Sequence, residues 1–163
     1  TRKQFVLGAL IHDIGKLEIP RDIIRKQGKL SPSEWETVKR HVVWGKEIAF
    51  IQDQFKALIP YIELHHERYD GKGYPHGYQK EEIPLLCRML TVIDSFDAMT
   101  SERPYQNTKS FEDAIRELRA CAGTQFDPEL TGLFIRYIEA RQQGRNFLAS
   151  DLNPLYPGSV TTP

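Results

Sequence analysis

Apolar positions along this chain recur at helical spacing almost throughout, and no stretch alternates with the period of a strand. In "FVLGALIHDIGK" the apolar residues at 6, 7, 10, 11 and 14 fall on one helix face, and the chain opens already inside this periodic segment, so a longer parent is expected. Ser31-Pro32-Ser33-Glu34 joins a capping box to a proline at the first helical position. It predicts a helix running to about residue 52 with Trp35, Val38, Val42, Gly45 and Ile48 inward. A further helix is expected over about 56–67, followed by a loop at 70–80 rich in Gly, Asp and Pro. Pro84 starts a helix to about Met99, Ser110 caps one that ends at Gly123, and Asp127-Pro128 starts the last, ending near Gly144. The prediction is one all-α domain over 1–144, a single bundle of about five to seven helices, with a loose, proline-bearing tail over 145–163.

Composition narrows the function. Lys plus Arg (22) equals Asp plus Glu (22), so no basic field argues for DNA. No apolar run approaches the ~20 residues that cross a bilayer, and the N-terminal stretch is interrupted too early by His12 and Asp13 to read as a signal peptide. Cys87 and Cys121 have no metal-type spacing and read as free, buried thiols of a cytoplasmic protein.

Against this background the polar residues on apolar helix faces stand out. His12 and Asp13 interrupt the first face, and Asp94 sits in "MLTVIDSFDAM" between Leu90 and Ala98. A buried carboxylate without a partner is costly and neutralises or finds a cation. His41 taken alone is more readily a satisfied core histidine, and His76 a surface residue. A His-Asp pair, a distant His, the pair His65-His66 and a distant Asp together are much harder to obtain from packing. Neighbouring helical side chains diverge by ~100°, so His12 and Asp13 would serve different ions, or Asp13 would bridge two while His12 holds one. The same divergence applies to His65 and His66, eased if the helix ends near Glu67. Lys16, at i+4 from His12, is either a helix C-terminal charge or a contact for an anionic substrate. A ligand set of nitrogen and oxygen without thiolate suits Fe, Mn, Zn or Ni.

The stretches "HDIGK" (12–16), "LSPSEWETVKRHVVWG" (30–45), "HHERYDGKGYP" (65–75), "EEIPLLCRMLTVIDSFDAMTSERPY" (81–105) and "GTQFDPEL" (123–130) resemble the HD-GYP family of bacterial phosphodiesterases, a branch of the HD metal-dependent phosphohydrolases. The resemblance spans roughly residues 5–140. It implies a hydrolase opening cyclic di-GMP to linear pGpG or further to GMP, as the cytoplasmic output domain of a larger signalling protein with an upstream sensor or receiver domain. It implies two or three divalent transition-metal ions, Fe or Mn first, held by His12, Asp13, His41, His65, His66 and Asp94 with Asp13 bridging. Asp13 and Lys16 would serve catalysis. Lys16 and Arg103 would contact the phosphates, and Gly73, Tyr74 and Pro75 would shape the mouth and offer a surface to a GGDEF-type partner protein. The family also carries a ligating histidine upstream of the His-Asp pair, with no counterpart before His12 here, and Gln106 stands where a basic residue is common. The alternative is a degenerate module that binds cyclic di-GMP or a partner without hydrolysis.

Overall fold

The computed structural model describes residues 2–101 and 108–147. Arg103 and Gln106, and the tail beyond residue 147, lie outside them. Among the described residues the regular structure is helical: α1 (Arg2–Ile11), α2 (Arg21–Ile24), α3 (Pro32–Lys39), α4 (His41–Phe50), α5 (Asp53–Lys56), α6 (Ile59–Leu64), α7 (Leu85–Thr100), α8 (Phe111–Cys121) and α9 (Pro128–Gln142), with 3₁₀ turns at Ile14–Glu18 and Lys80–Glu82. Strand-like pairing is confined to the isolated bridges Asp70–Gln79 and Ala122–Phe126.

The caps behave as the sequence predicts. The Ser31 hydroxyl accepts from the Glu34 amide, and the Glu34 carboxylate accepts from the Ser31 amide, closing a capping box ahead of Pro32. Ser110 caps α8 through the Asp113 amide, and the Asp127 carboxylate caps α9 through the amides of Glu129 and Leu130. Gly123 and Gly144 follow their helices with φ of +83° and +68°, a conformation open to glycine at little cost.

The departures lie in the first half. The helix expected from 32 to 52 is two, α3 and α4, joined at Arg40, and the one expected over 56–67 is shorter, α6 alone, with the four-residue α5 ahead of it. Trp35, expected inward, is 47% exposed and faces a cleft, because the break at Arg40 turns α3 away from the face that α4 buries. Cys87 is buried but Cys121 only partly, since α8 ends there at the surface.

α7 separates two apolar clusters. Leu58, Tyr61, Leu64, Ile83, Cys87 and Leu90 pack with Phe5 and Ile11 on one side. Val92, Ile115, Leu118, Phe126, Ile135 and Ile138 pack on the other. Burial at ~25 cal/mol per Å2 of apolar surface drives both. Close backbone approach sets the remaining geometry. A Cβ on Gly15 would run into the His41 carbonyl and lie 2.5 Å from the Gly45 nitrogen, so only glycine lets the Ile14–Glu18 turn lie against α4. That contact brings Asp13 to His41.

Candidate metal centre

Every imidazole of the site stands at or next to a helix end. α1 stops at Ile11 and α6 at Leu64, so His12-Asp13 and His65-His66 occupy turns rather than helix interiors. The divergence expected of neighbours inside a helix is thereby relaxed. His12 Nε2 lies 3.3 Å from Asp13 Oδ2, and the rings of His65 and His66 have centroids 4.0 Å apart. His41 opens α4 with 1% exposure. Thr91, one turn before Asp94 on α7, donates its hydroxyl proton to the carbonyl oxygens of His65 and Cys87, both at 3.0 Å, and ties α7 to the histidine turn.

Three rings are held in one tautomeric sense. Nδ1–H donates to a backbone carbonyl three residues earlier in His12 (to Ala9, 2.7 Å), His41 (to Val38, 2.7 Å) and His65 (to Ile62, 2.9 Å). A carbonyl can only accept, so the proton is on Nδ1 and Nε2 points inward. This is the outer hydrogen bond that metal-ligating histidines use.

The inward atoms converge on Asp13. Its Oδ1 lies 3.5 Å from His41 Nε2 and 3.7 Å from His65 Nε2, while Oδ2 faces His12. On the far side of His12, Asp94 Oδ1 is 3.5 Å from the same Nε2. Ligand-type atoms of Asp13, His41, His65 and His66 all lie within 4.8 Å of one another. His12 Nε2 and Asp13 Oδ1 are buried yet make no hydrogen bond among the described residues. Buried polar atoms are rarely left so, and a cation between them satisfies both. The donor set, imidazole nitrogen and carboxylate oxygen without thiolate, fits a borderline divalent transition metal.

The electrostatics agree. Burial opposes a proton on His12, but the flanking Asp13 and Asp94 carboxylates override it and raise its pKa to about 10. Asp13 ionises well below the usual carboxylate range despite its burial, because the imidazoles of His12 and His65 face it and the Lys16 ammonium donates a hydrogen bond to it. Burial, then the charges of His65 and His41, takes His66 down to about 2, and burial likewise lowers His41. One side of the site calls for positive charge, and the other offers neutral imidazoles ready to donate lone pairs.

Lys16 Nζ sits 2.6 Å from Asp13 Oδ2, on the carboxylate edge that also faces His12. Beside the cluster opens a cleft of about 490 Å3 lined by Trp35, Lys39, His66, Tyr74, Asp94 and Gln125 among others. Its wall includes Gly73 and Tyr74, and the Tyr74–Pro75 peptide that follows is cis. The Tyr74 ring stacks on His66 with centroids 4.8 Å apart and planes at 26°. The structure thus draws together His12, Asp13, Lys16, His41, His65, His66, Tyr74 and Asp94 of the residues singled out by sequence. Arg103 lies outside the described residues. His76 is on the surface as expected, 3.1 Å from Glu63 Oε1.

Glu67 was missed. It is 1% exposed, accepts the His76 amide proton on Oε1 at 2.7 Å, and keeps Oε2 buried without a hydrogen bond among the described residues. A glutamate after a helix ordinarily reads as solvated, and its only signal was its place between the histidine pair and the glycine loop.

Comparison with known proteins adds a lineage. The HD domain family model matches residues 1–130. A cyclic di-GMP phosphodiesterase of Thermotoga maritima is 41% identical over 143 residues, covering 83% of this chain and 37% of the relative. A 3'3'-cGAMP-specific phosphodiesterase 3 of Vibrio cholerae is 40% identical over 121 residues, covering 74% of this chain and 26% of the relative. The chain therefore spans about a third of the length of such relatives. The crystal structure of a cyclic GMP-AMP specific phosphodiesterase of Vibrio cholerae aligns with a TM-score of 0.59 at 18% identity, covering 94% of this chain and 40% of that one, which speaks for the fold.

Proposed function

Since the chain belongs to the HD domain family, we propose that it is the hydrolytic module of a metal-dependent cyclic dinucleotide phosphodiesterase, with cyclic di-GMP as substrate. The observation that carries this reading is Asp13, which turns one oxygen to His12 and the other to His41 and His65. On this reading His12, Asp13 and Asp94 hold one divalent ion, and Asp13, His41, His65 and His66 hold a second, with Fe or Mn suited to the donors. Bound there, such ions activate water and neutralise phosphoryl oxygens.

The chain's own groups do the rest. The reaction adds water across one phosphodiester: the new bond forms at phosphorus, the P–O3′ bond breaks, and the 3′ oxygen takes a proton. This opens the ring to pGpG, and repetition yields GMP. Lys16, with its ammonium beside Asp13, draws the phosphate to the reacting edge, and Arg103 is proposed to contact the phosphates too, since a guanidinium suits bidentate contact. The Gly73–Pro75 loop closes one wall of the cleft and presents its outer edge to a GGDEF-type partner protein. The module works in the cytoplasm beneath an upstream sensor or receiver domain. No helix of the described residues is long and apolar enough to cross a membrane.

A second reading has one observation behind it. Among the described residues the carboxylates that face His12 Nε2 are those of Asp13 and Asp94, whereas Asp13, His41, His65 and His66 form a four-residue cluster of ligand atoms. A site that fills only the latter would bind cyclic di-GMP without cutting it.

Product analysis separates the two. The Mn2+-loaded parent protein is expected to convert cyclic di-GMP to linear product, and 3'3'-cGAMP should be tested beside it because relatives of both kinds match almost equally well. Asp13→Ala removes the shared ligand, and loss of several kcal/mol of transition-state stabilisation means a fall of about a thousandfold or more. Tight binding with no product from the metal-loaded wild type would establish the binding module instead.

A further inference from the structure

The rings of His12, His41 and His65 are oriented by Nδ1–H bonds to backbone carbonyls, but His66 is not. Among the described residues no hydrogen bond reaches its ring, and its close partners are other rings: His65, His41 and Tyr74. Of these only Tyr74 lies outside the proposed ligand set, and it stacks almost parallel on His66. What holds Tyr74 there is a pair of hydrogen bonds back to the histidine turn. The Tyr74 amide donates to the His66 carbonyl at 3.2 Å, and the His76 amide donates to Glu67 Oε1 at 2.7 Å. Gly73 permits this, since a Cβ there would lie 2.5 Å from both Glu67 Cα and the His66 carbonyl oxygen and would run into the Arg68 nitrogen.

A buried carboxylate with one oxygen unpaired is an expensive way to fill space. An apolar residue would serve a core better, so a buried glutamate at this position points to a task beyond packing. We propose that Glu67 is a positioning residue: by anchoring the Gly73–His76 loop it fixes the Tyr74 ring against His66, and this stack replaces the outer hydrogen bond that the other three imidazoles have. The inference rests on the reading of His66 as a metal ligand, and it adds the device that orients it. It also gives the loop a second role. Besides walling the cleft, the loop transmits its own position to the metal centre.

The test reads metal affinity and ligand field, not turnover. Mn2+ affinity is measured by titration and the Co2+ form by its visible spectrum, for the wild type, Glu67→Gln, Glu67→Ala, Tyr74→Phe, Tyr74→Leu and the Glu67→Ala/Tyr74→Leu double variant. Glu67→Gln keeps an acceptor for the His76 amide and Tyr74→Phe keeps the stacked ring, so both should bind Mn2+ within about twofold of wild type. Glu67→Ala and Tyr74→Leu should each weaken binding by roughly 10–100-fold, the usual effect of losing an outer-shell partner, and should alter the Co2+ spectrum alike. Because both act through one stack, the double variant should be no weaker than the worse single variant. Unchanged affinity in Tyr74→Leu, or losses that multiply in the double variant, would overturn the proposal. Tyr74→Leu decides the matter even if Glu67→Ala fails to fold. A wild type that binds Mn2+ but cuts no cyclic dinucleotide would end the phosphodiesterase reading and leave this inference standing. A wild type that binds no Mn2+ would end both.

Discussion

Asp13 earns its two-sided place through a neighbour that carries no functional group. Gly15 lets the Ile14–Glu18 turn lie on α4, so the carboxylate reaches His41. Gly15→Ala should therefore cost about 1–3 kcal/mol by overpacking, seen as a lower urea midpoint. It should also weaken Mn2+ binding, because Asp13 is carried away from His41. A destabilised variant with unchanged metal affinity would show that the turn packs α4 without setting the site. At this scale the sequence was informative about chemistry and silent about support. His12, Asp13 and Asp94 stood out because they interrupt apolar faces, whereas His41, His65 and His66 stood out only through the joint pattern of imidazoles and carboxylates and the family resemblance. Gly15 and Glu67 did not stand out, since their roles depend on which backbone lies opposite, and that is a tertiary fact.

The helices divide in the same way. Those with strong local signals, α3, α8 and α9, begin where Ser31, Ser110 and Asp127 say they should, because a cap is satisfied within its own turn. The breaks at Arg40, after Ile11 and after Leu64 had no glycine or proline to announce them. They are imposed by packing, through Gly15 against α4 and through the Thr91 hydroxyl against the His65 carbonyl. Those unannounced breaks are what bring adjacent ligands to one centre, so helical periodicity alone argued against the geometry that occurs. Ser31→Ala tests the local half of this picture. It removes the acceptor for the Glu34 amide and should destabilise the protein by about 1 kcal/mol in urea unfolding, with Mn2+ affinity unchanged. A loss of affinity would mean that the start of α3 reports directly to the site.

Across the whole molecule, the loop that follows the histidine pair is bound to the connection between α8 and α9. The amides of Tyr69 and Asp70 donate to the Gln125 and Thr124 carbonyls, and Arg68 donates to Gln125 Oε1. Arg68 also grips Asp70 through two hydrogen bonds, of 3.0 and 2.9 Å, and lowers its pKa to about 2 from 3.8. A carboxylate with a depressed folded-state pKa stabilises above its unfolded value and loses that contribution as pH falls through the folded one. Wild type should therefore exceed Asp70→Asn in melting temperature at pH 6, and the gap should close between about pH 4 and about 2. A gap independent of pH would assign the effect to packing. The central claim, that the bundle folds its scattered imidazoles and carboxylates around a pair of cations sharing Asp13, is tested most directly by anomalous diffraction from crystals loaded with Mn2+. The account predicts two peaks roughly 3.5–4 Å apart, one beside His12 and Asp94, the other among His41, His65 and His66, with an oxygen of Asp13 directed at each. A single peak, or ions bound away from Asp13, would contradict it.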